Sequence, residues 1–374
     1  MNKLLSVQII AIACVLMRST TAFAQLPMPS NGWNLGNTME STCGVGCWGP
    51  MPTQALINSV ATAGFNTVRI PCAWHYQSDG SGNVNATYMS QVKQVVGWCT
   101  AKGLYVIIND HWDTGWFENC GFKHYSSSTN STLQHMWTQV ASAFNGYDNH
   151  VLFACANEPG ATSSGQTAVL FQYYQTFVNT VRATGGNNTN RWLILQGPSA
   201  NIDDTYNYVT TLPTDPTPGR LMMEVHDYDP YQFTLMTSDQ SWGSMFYFWG
   251  SGYHSVTLPS RNATWGEEAW LASEFDKMKT KFVSKGIPVL IGEWRAQKKP
   301  AESDLTGALV TLNYDSCTYC DKCLHDAANS RGMYCTCWDI PGETFNWTTG
   351  AILDQTQVNA LLGISAVPPP GGGI

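Results

Sequence analysis

The chain has 374 residues, of which only 12% are charged, and a formal net charge of −8. That balance excludes a nucleic-acid binder, whose phosphate contacts need clustered Lys and Arg. Aromatic residues also make up 12%, with 15 Trp, which suits an uncharged polar partner; the length allows one large α/β barrel or two ordinary domains.

Residues 1–24 read as a secretory signal: Lys3 gives the positive start, Leu4 to Met17 is mostly apolar, and Ala22-Phe23-Ala24 is an A-x-A cleavage site. The apolar run is shorter than the roughly 20 residues needed to span a bilayer, so a membrane anchor is disfavoured. No later stretch is apolar enough to span either, and a secreted, extracellular chain with no membrane partner is expected.

The next element is a run at Gly32–Gly36, then a helical pattern over Pro52–Ala63 and a second run at Thr67–Pro71. Thr87–Lys102 reads as helix, Leu104–Asn109 as strand, Leu133–Phe144 as helix, Val151–Ala156 as strand and Thr167–Arg182 as helix. Further strands are read at Trp192–Gln196, Leu221–Val225, Pro288–Gly292 and Met333–Trp338. Helices follow at a short Asn201–Val209, at Glu267–Lys285 and at Gln355–Leu362, while Ala301–Asn329 reads as a helix broken by cysteines. Tyr228–Trp265 has no clear periodicity and reads as a long loop over the barrel mouth.

Continuously apolar strands are those buried on both faces of a parallel sheet. Eight strand–helix alternations argue for a single-domain α/β (β/α)8 TIM barrel over 25–366, with 367–374 as a Pro/Gly-rich tail or linker start. A doubly wound sheet is disfavoured because no G-x-G-x-x-G follows a strand.

In such a barrel the C-terminal ends of the strands face the active site. Those ends read Asn34–Asn37, Arg69–Pro71, Asn109-Asp110-His111-Trp112, Asn157-Glu158, His226-Asp227-Tyr228, Glu293 and Trp338-Asp339. Glu158 and Glu293, each following a core strand, form the pair of carboxylates that glycoside hydrolysis needs. One must protonate the leaving oxygen while the other, ionised, attacks the anomeric carbon. Arg69 and Tyr228 are the natural groups to keep the attacking carboxylate charged, and Asn157 can bond a sugar hydroxyl. His111 and His226 could orient carboxylates or bind hydroxyls. Asp110, Asp113, Asp227 and Asp229 read as loop hydrogen-bonders, and Asn37 is a weaker candidate.

The ordered set Gly32–Thr38, Arg69–Pro71, Asn109–His111, Asn157–Pro159, His226-x-Tyr228 and Ile291–Glu293 resembles glycoside hydrolase family 5, the cellulase family of (β/α)8 retaining enzymes. The resemblance spans nearly the whole chain after residue 24 and looks most like the endoglucanase and xyloglucanase branch. It implies Glu158 as acid/base and Glu293 as nucleophile. It further implies Arg69, His111, Asn157, His226, Tyr228 and Trp338 as the surrounding site, acting on a β-glucan without a metal or other cofactor. The chain departs from many relatives in following His111 with Trp112, and the Cys317–Cys337 cluster is not a family hallmark.

Flat rings match the apolar face of a pyranose, which makes Trp33, Trp74, Trp112, Trp116, Trp242, Trp249, Trp338 and Trp347 stacking candidates. Core packing is the ordinary role of any one Trp; Trp338 stands apart by its strand-end position. Two other classes compete. A non-catalytic glycan-binding barrel would normally lose one carboxylate, and both are present. A metal-dependent hydrolase is disfavoured because His111 and His226 lack an H-x-H or H-E-x-x-H partner. Of the 12 cysteines, Cys14 lies in the signal segment. In an oxidising compartment many of the rest should pair, including the cluster Cys317, Cys320, Cys323, Cys335 and Cys337, in preference to binding zinc. Their odd number leaves at least one free thiol, with Cys72 and Cys155 the expected buried ones. A monomer is the default expectation.

Overall fold

The eight apolar runs become eight parallel strands because each is buried on both faces, between a side-chain-filled interior and a ring of helices. The computed structural model describes residues 31–299 and 302–364; the signal segment 1–24 and the tail 367–374 lie outside the described residues. The strands are β1 (Asn31–Asn34), β2 (Thr67–Ile70), β3 (Tyr105–Asn109), β4 (Val151–Ala154), β5 (Leu193–Gln196), β6 (Leu221–Asp227), β7 (Val289–Trp294) and β8 (Tyr334–Cys337). They close in sequence order, with β8 pairing back onto β1. The closed α/β barrel agrees with the single-domain (β/α)8 expectation.

The helices are α1 (Gln54–Ala63), α2 (Ala86–Thr100), α3 (Ser127–Phe144), α4 (Ser164–Ala183), α5 (Ile202–Tyr208), α6 (Tyr231–Thr234), α7 (Glu268–Lys281), α8 (Ala308–Ser330) and α9 (Gln355–Leu361). Their starts are set by caps. Thr53, Asn85, Ser126 and Ser163 each accept a backbone N–H from the first turn, satisfying donors that the helix itself cannot. The Ser126 cap starts α3 six residues before the apolar pattern does. None of the described helices is long and apolar enough to cross a membrane.

Two expectations are corrected. The segment read as a helix broken by cysteines is the unbroken α8, which contains neither Gly nor Pro. The expected disulfide framework is also absent from it: the chain has a Cys43–Cys47 disulfide, while Cys317, Cys320, Cys323 and Cys337 remain thiols. Helix geometry explains this for Cys317, Cys320 and Cys323, since residues three apart hold their Cβ atoms about 5–6 Å apart, beyond the roughly 3.8 Å that a disulfide spans. Cys72 and Cys155 are buried thiols, as expected.

The long segment after β6 is irregular, as read, yet it is not a loose cover. Phe233, Phe246, Trp249 and Ala263 pack with Cys317 and Cys320 of α8 into a satellite core, and Trp249 Nε1 donates to Gly266 O at 2.8 Å. Trp249→Ala is therefore expected to lower stability by about 3–5 kcal/mol, read as a fall in the urea midpoint. The fold also buries Glu40, Glu118, Asp227 and Asp321, and burial pushes each carboxyl up to about 7. Between pH 4.5 and 7 the folded state then holds protons that the unfolded chain has lost, so stability should fall as pH rises through that window. Urea midpoints at pH 4.5, 5.5, 6.5 and 7.5 check the sign; a steady rise would contradict it.

Candidate active site

At the C-terminal mouth of the barrel the chain gathers four groups, from β1, β6, β7 and the end of β4, around one guanidinium. Arg69, on β2, is fully buried. Its Nη1 donates to Asn34 Oδ1 and to Glu293 Oε1, both at 2.9 Å, and its Nη2 to Asn157 Oδ1 at 3.0 Å. Its Nε lies 3.0 Å from Glu224 Oε1. A guanidinium keeps its charge when buried, so these oxygens are what make its burial tolerable.

Glu293 lies within β7, one residue before its end, and is 5% exposed. Tyr228 Oη donates to its Oε2 at 3.3 Å, and His111 Nδ1 stands 3.8 Å from its Oε1. Burial raises its pKa, opposed by the charges of His226 and Arg69. Glu158 is the outer carboxylate, with its side chain 44% exposed. His226 Nδ1 meets its Oε1 at 2.8 Å. Partial burial works to raise the Glu158 pKa but is overcome by His226 and Arg69, which hold it below the usual value. These directions reverse the simple expectation of an ionised Glu293 beside a protonated Glu158.

One oxygen of Glu158, one of Glu293 and one His226 nitrogen all lie within 4.8 Å of one another. That closeness has local causes. A bulge in the β6–β7 register between Val225 and His226 pairs His226 with Glu293, and bulges re-aim side chains in this way. Glu158 itself adopts φ 38°, a region costly for a residue with a Cβ. Its N–H is held by Gln196 Oε1.

The other expected residues divide. Asn157 is tied between Arg69 and Glu118, donating from Nδ2 to Glu118 Oε1 at 3.0 Å. Trp338 lies parallel to the His111 ring, 5.6 Å away with an interplanar angle of 15°. Gly36 lets it settle there, since a Cβ on that glycine would meet Trp338 Cζ2 at 2.6 Å. Trp112 (42% exposed) and Trp242 (63% exposed) present rings to solvent. Trp33, Trp74, Trp249 and Trp347 do not: they are buried in the core and drop out as stacking platforms. Trp116 is half-buried and donates to Asp110 Oδ2 at 3.2 Å. Asn37 is half-buried, and its backbone N–H donates to Glu40; its side chain is not joined to the Arg69 network. Asp113 caps the N–H groups of His75 and Tyr76, as a loop hydrogen-bonder.

Four site residues escaped the sequence reading: Asn34 as a partner of Arg69, and Glu118, Gln196 and Glu224. Glu224 had a usable signal, a charged residue inside an apolar strand and two positions from His226, hence on the same face. A cavity of about 190 Å³ opens beside Glu158, lined by His226, Tyr228, Asn201, Asp229 and Tyr231. A larger groove of about 580 Å³ between His75–Gly82 and α3 is lined by none of these carboxylates.

Comparison with known proteins identifies the family. Residues 29–343 match the family described as Cellulase (glycosyl hydrolase family 5). Endoglucanase A of Paenibacillus barcinonensis is 36% identical over 303 residues, 74% of each chain. The xyloglucan-specific endo-β-1,4-glucanase BoGH5A of Bacteroides ovatus is 33% identical over 298 residues, 74% of this chain and 57% of that protein's length. Among solved structures, XEG5B, a xyloglucan-specific β-1,4-glucanase from a ruminal metagenomic library in complex with XXLG, superposes with a TM-score of 0.80 at 38% identity. That alignment covers 91% of this chain and 95% of that one. With the family match running through all eight strands, the chain belongs to glycosyl hydrolase family 5, and it is a glycoside hydrolase.

Proposed function

We propose that the chain is a secreted retaining endo-β-1,4-glucanase, in which Glu293 attacks the anomeric carbon and Glu158 serves as acid and then base. The observation that carries the mechanism is the approach of the two carboxylates to within 4.8 Å. Retaining enzymes hold their carboxyls about 5–5.5 Å apart, whereas inverting ones leave about 6.5–9.5 Å for a water. Glu293, at the floor with Arg69 and Tyr228 on its oxygens, is placed to attack and then to leave. Glu158, at the edge, reaches both the departing oxygen and solvent.

In the first half-reaction Glu158 gives a proton to the glycosidic oxygen while the Glu293 oxygen bonds to the anomeric carbon. In the second, Glu158 takes a proton from water, whose oxygen displaces Glu293. The ionised state that His226 favours for Glu158 is the one this second step uses. Asn157, fixed from both sides, offers a polar group next to the reacting sugar, and Trp338 with His111 supplies a flat wall. His226 and Arg69 already neutralise part of the carboxylate charge by direct pairing, and no metal or cofactor enters the scheme.

A second reading, the same chemistry on xyloglucan, is favoured by the xyloglucan-specific relatives with high coverage. Reducing-sugar release from carboxymethylcellulose, barley β-glucan, xyloglucan, mannan and xylan separates the two. Glu158→Gln should lower kcat by about 10²–10⁴-fold on polymer. It should spare the first step on an aryl glycoside whose leaving group needs no proton. Equal losses on both substrates would remove Glu158 from the acid role. Glu293→Gln should abolish turnover with the urea midpoint retained, and anomeric proton spectra of the first product should show the β form; an initial α product would exclude retention. Secretion predicts a mature N-terminus at Gln25, measurable by mass spectrometry of the exported protein.

A further inference from the structure

Glu224 is fully buried inside β6 and belongs to no expected role. Its Oε1 stands 3.0 Å from Arg69 Nε and 3.3 Å from His226 Nε2. Room for it is built into the neighbouring strand: a Cβ on Gly292 would meet Glu224 Oε1 at 2.0 Å. The imidazole of His226 therefore has a carboxylate oxygen at each nitrogen, Glu158 at Nδ1 (2.8 Å) and Glu224 at Nε2 (3.3 Å).

We infer that Glu224 is a positioning residue that holds His226 as a doubly protonated imidazolium and thereby sets the pH range over which Glu158 works. This rests on the proposed role of Glu158. The groups facing the ring are Glu158 from β4, Glu224 on β6 itself and Glu293 from β7, whose Oε2 is 3.8 Å from Nδ1. Tyr228, Arg69 and His111 border the same site. Two of the three carboxylates, Glu224 and Glu293, are buried with the ring; the three against Arg69 alone would leave two uncompensated charges around it, and a charged imidazole leaves one. Gln196 Nε2 also lies 3.2 Å from His226 Nε2. Its Oε1 already accepts the Glu158 N–H, so Glu224 is the acceptor available to a ring N–H. Burial works against a charged ring, but Glu293, Glu158 and Glu224 together raise His226 to about 10.

The test is Glu224→Gln, which keeps the shape and removes the charge. Without that charge Glu158 loses a neighbour that raises it, so the proton its acid role needs is lost at lower pH, and the basic limb of the kcat/KM profile should move down by about 1–3 pH units. Glu293 also loses a raising neighbour, so the acid limb should move the same way. A bell that keeps its position and only loses height would make Glu224 a structural filler and overturn the inference. Nitrogen NMR of the wild-type chain gives an independent readout that needs neither the variant nor a substrate. Both His226 nitrogens should be protonated at pH 8, and a neutral ring accepting from Gln196 would overturn the inference even if Glu224→Gln fails to fold. Loss of activity on every glycan of the panel would instead count against the proposed function, leaving the NMR result to judge the Glu224–His226 pair.

Discussion

The burial of one guanidinium organises this molecule. Arg69 sits with no exposure at the end of β2, and a charge in that position is stable only if fixed oxygens surround it. Those oxygens come from Asn34 on β1, Asn157 after β4, Glu224 on β6 and Glu293 on β7. Closing the barrel and satisfying Arg69 are thus one event. Strands that are far apart in sequence must arrive in register for the guanidinium to be paired, and once they do, Glu293 and Asn157 have little freedom left. Such groups are oriented before any substrate arrives, which is where electrostatic catalysis draws its advantage.

A second consequence follows for Glu158, which Arg69 does not touch. Its placement depends on backbone strain and on two neighbours, Gln196 at its N–H and His226 at its carboxylate. The two carboxylates are held by different means, one by a buried guanidinium and one by a buried imidazole. Different environments are what allow two chemically identical groups to take different roles.

The barrel and the strand-end residues were legible because parallel strands buried on both faces are continuously apolar, so the polar residues that end them stand out. Arg69, Asn157, Glu158, His226, Tyr228, Glu293 and Trp338 were found that way, and the structure gathers them at one mouth. Glu224 was missed because it lies within the run Leu221–Val225, where apolar neighbours set the pattern and one charge reads as noise. Glu118 lies in irregular backbone after β3, where no periodicity ties position to direction. Single Trp residues stayed ambiguous for a related reason: Trp33 follows the strand pattern and faces the core, where its Nε1 donates to Asp339 Oδ2 at 2.9 Å. The α8 cysteines misled because an oxidising compartment was taken as reason enough for them to pair, while helix geometry keeps neighbours three apart out of bonding range.

Exposure sets the two carboxylates apart. Glu293 is almost enclosed, whereas nearly half of the Glu158 side chain meets solvent. A nucleophile that forms a covalent intermediate gains from a dry, fixed setting, since water there would compete with the sugar and weaken every charge interaction. In the proposed mechanism the group that cycles between acid and base needs the opposite, because it must meet the departing sugar and then a water arriving from the same side. The cavity beside Glu158 is lined by Glu158, His226 and Tyr228 and not by Glu293. The proposed roles are thereby separated in space: attack from the floor of the barrel, departure and water entry at its rim.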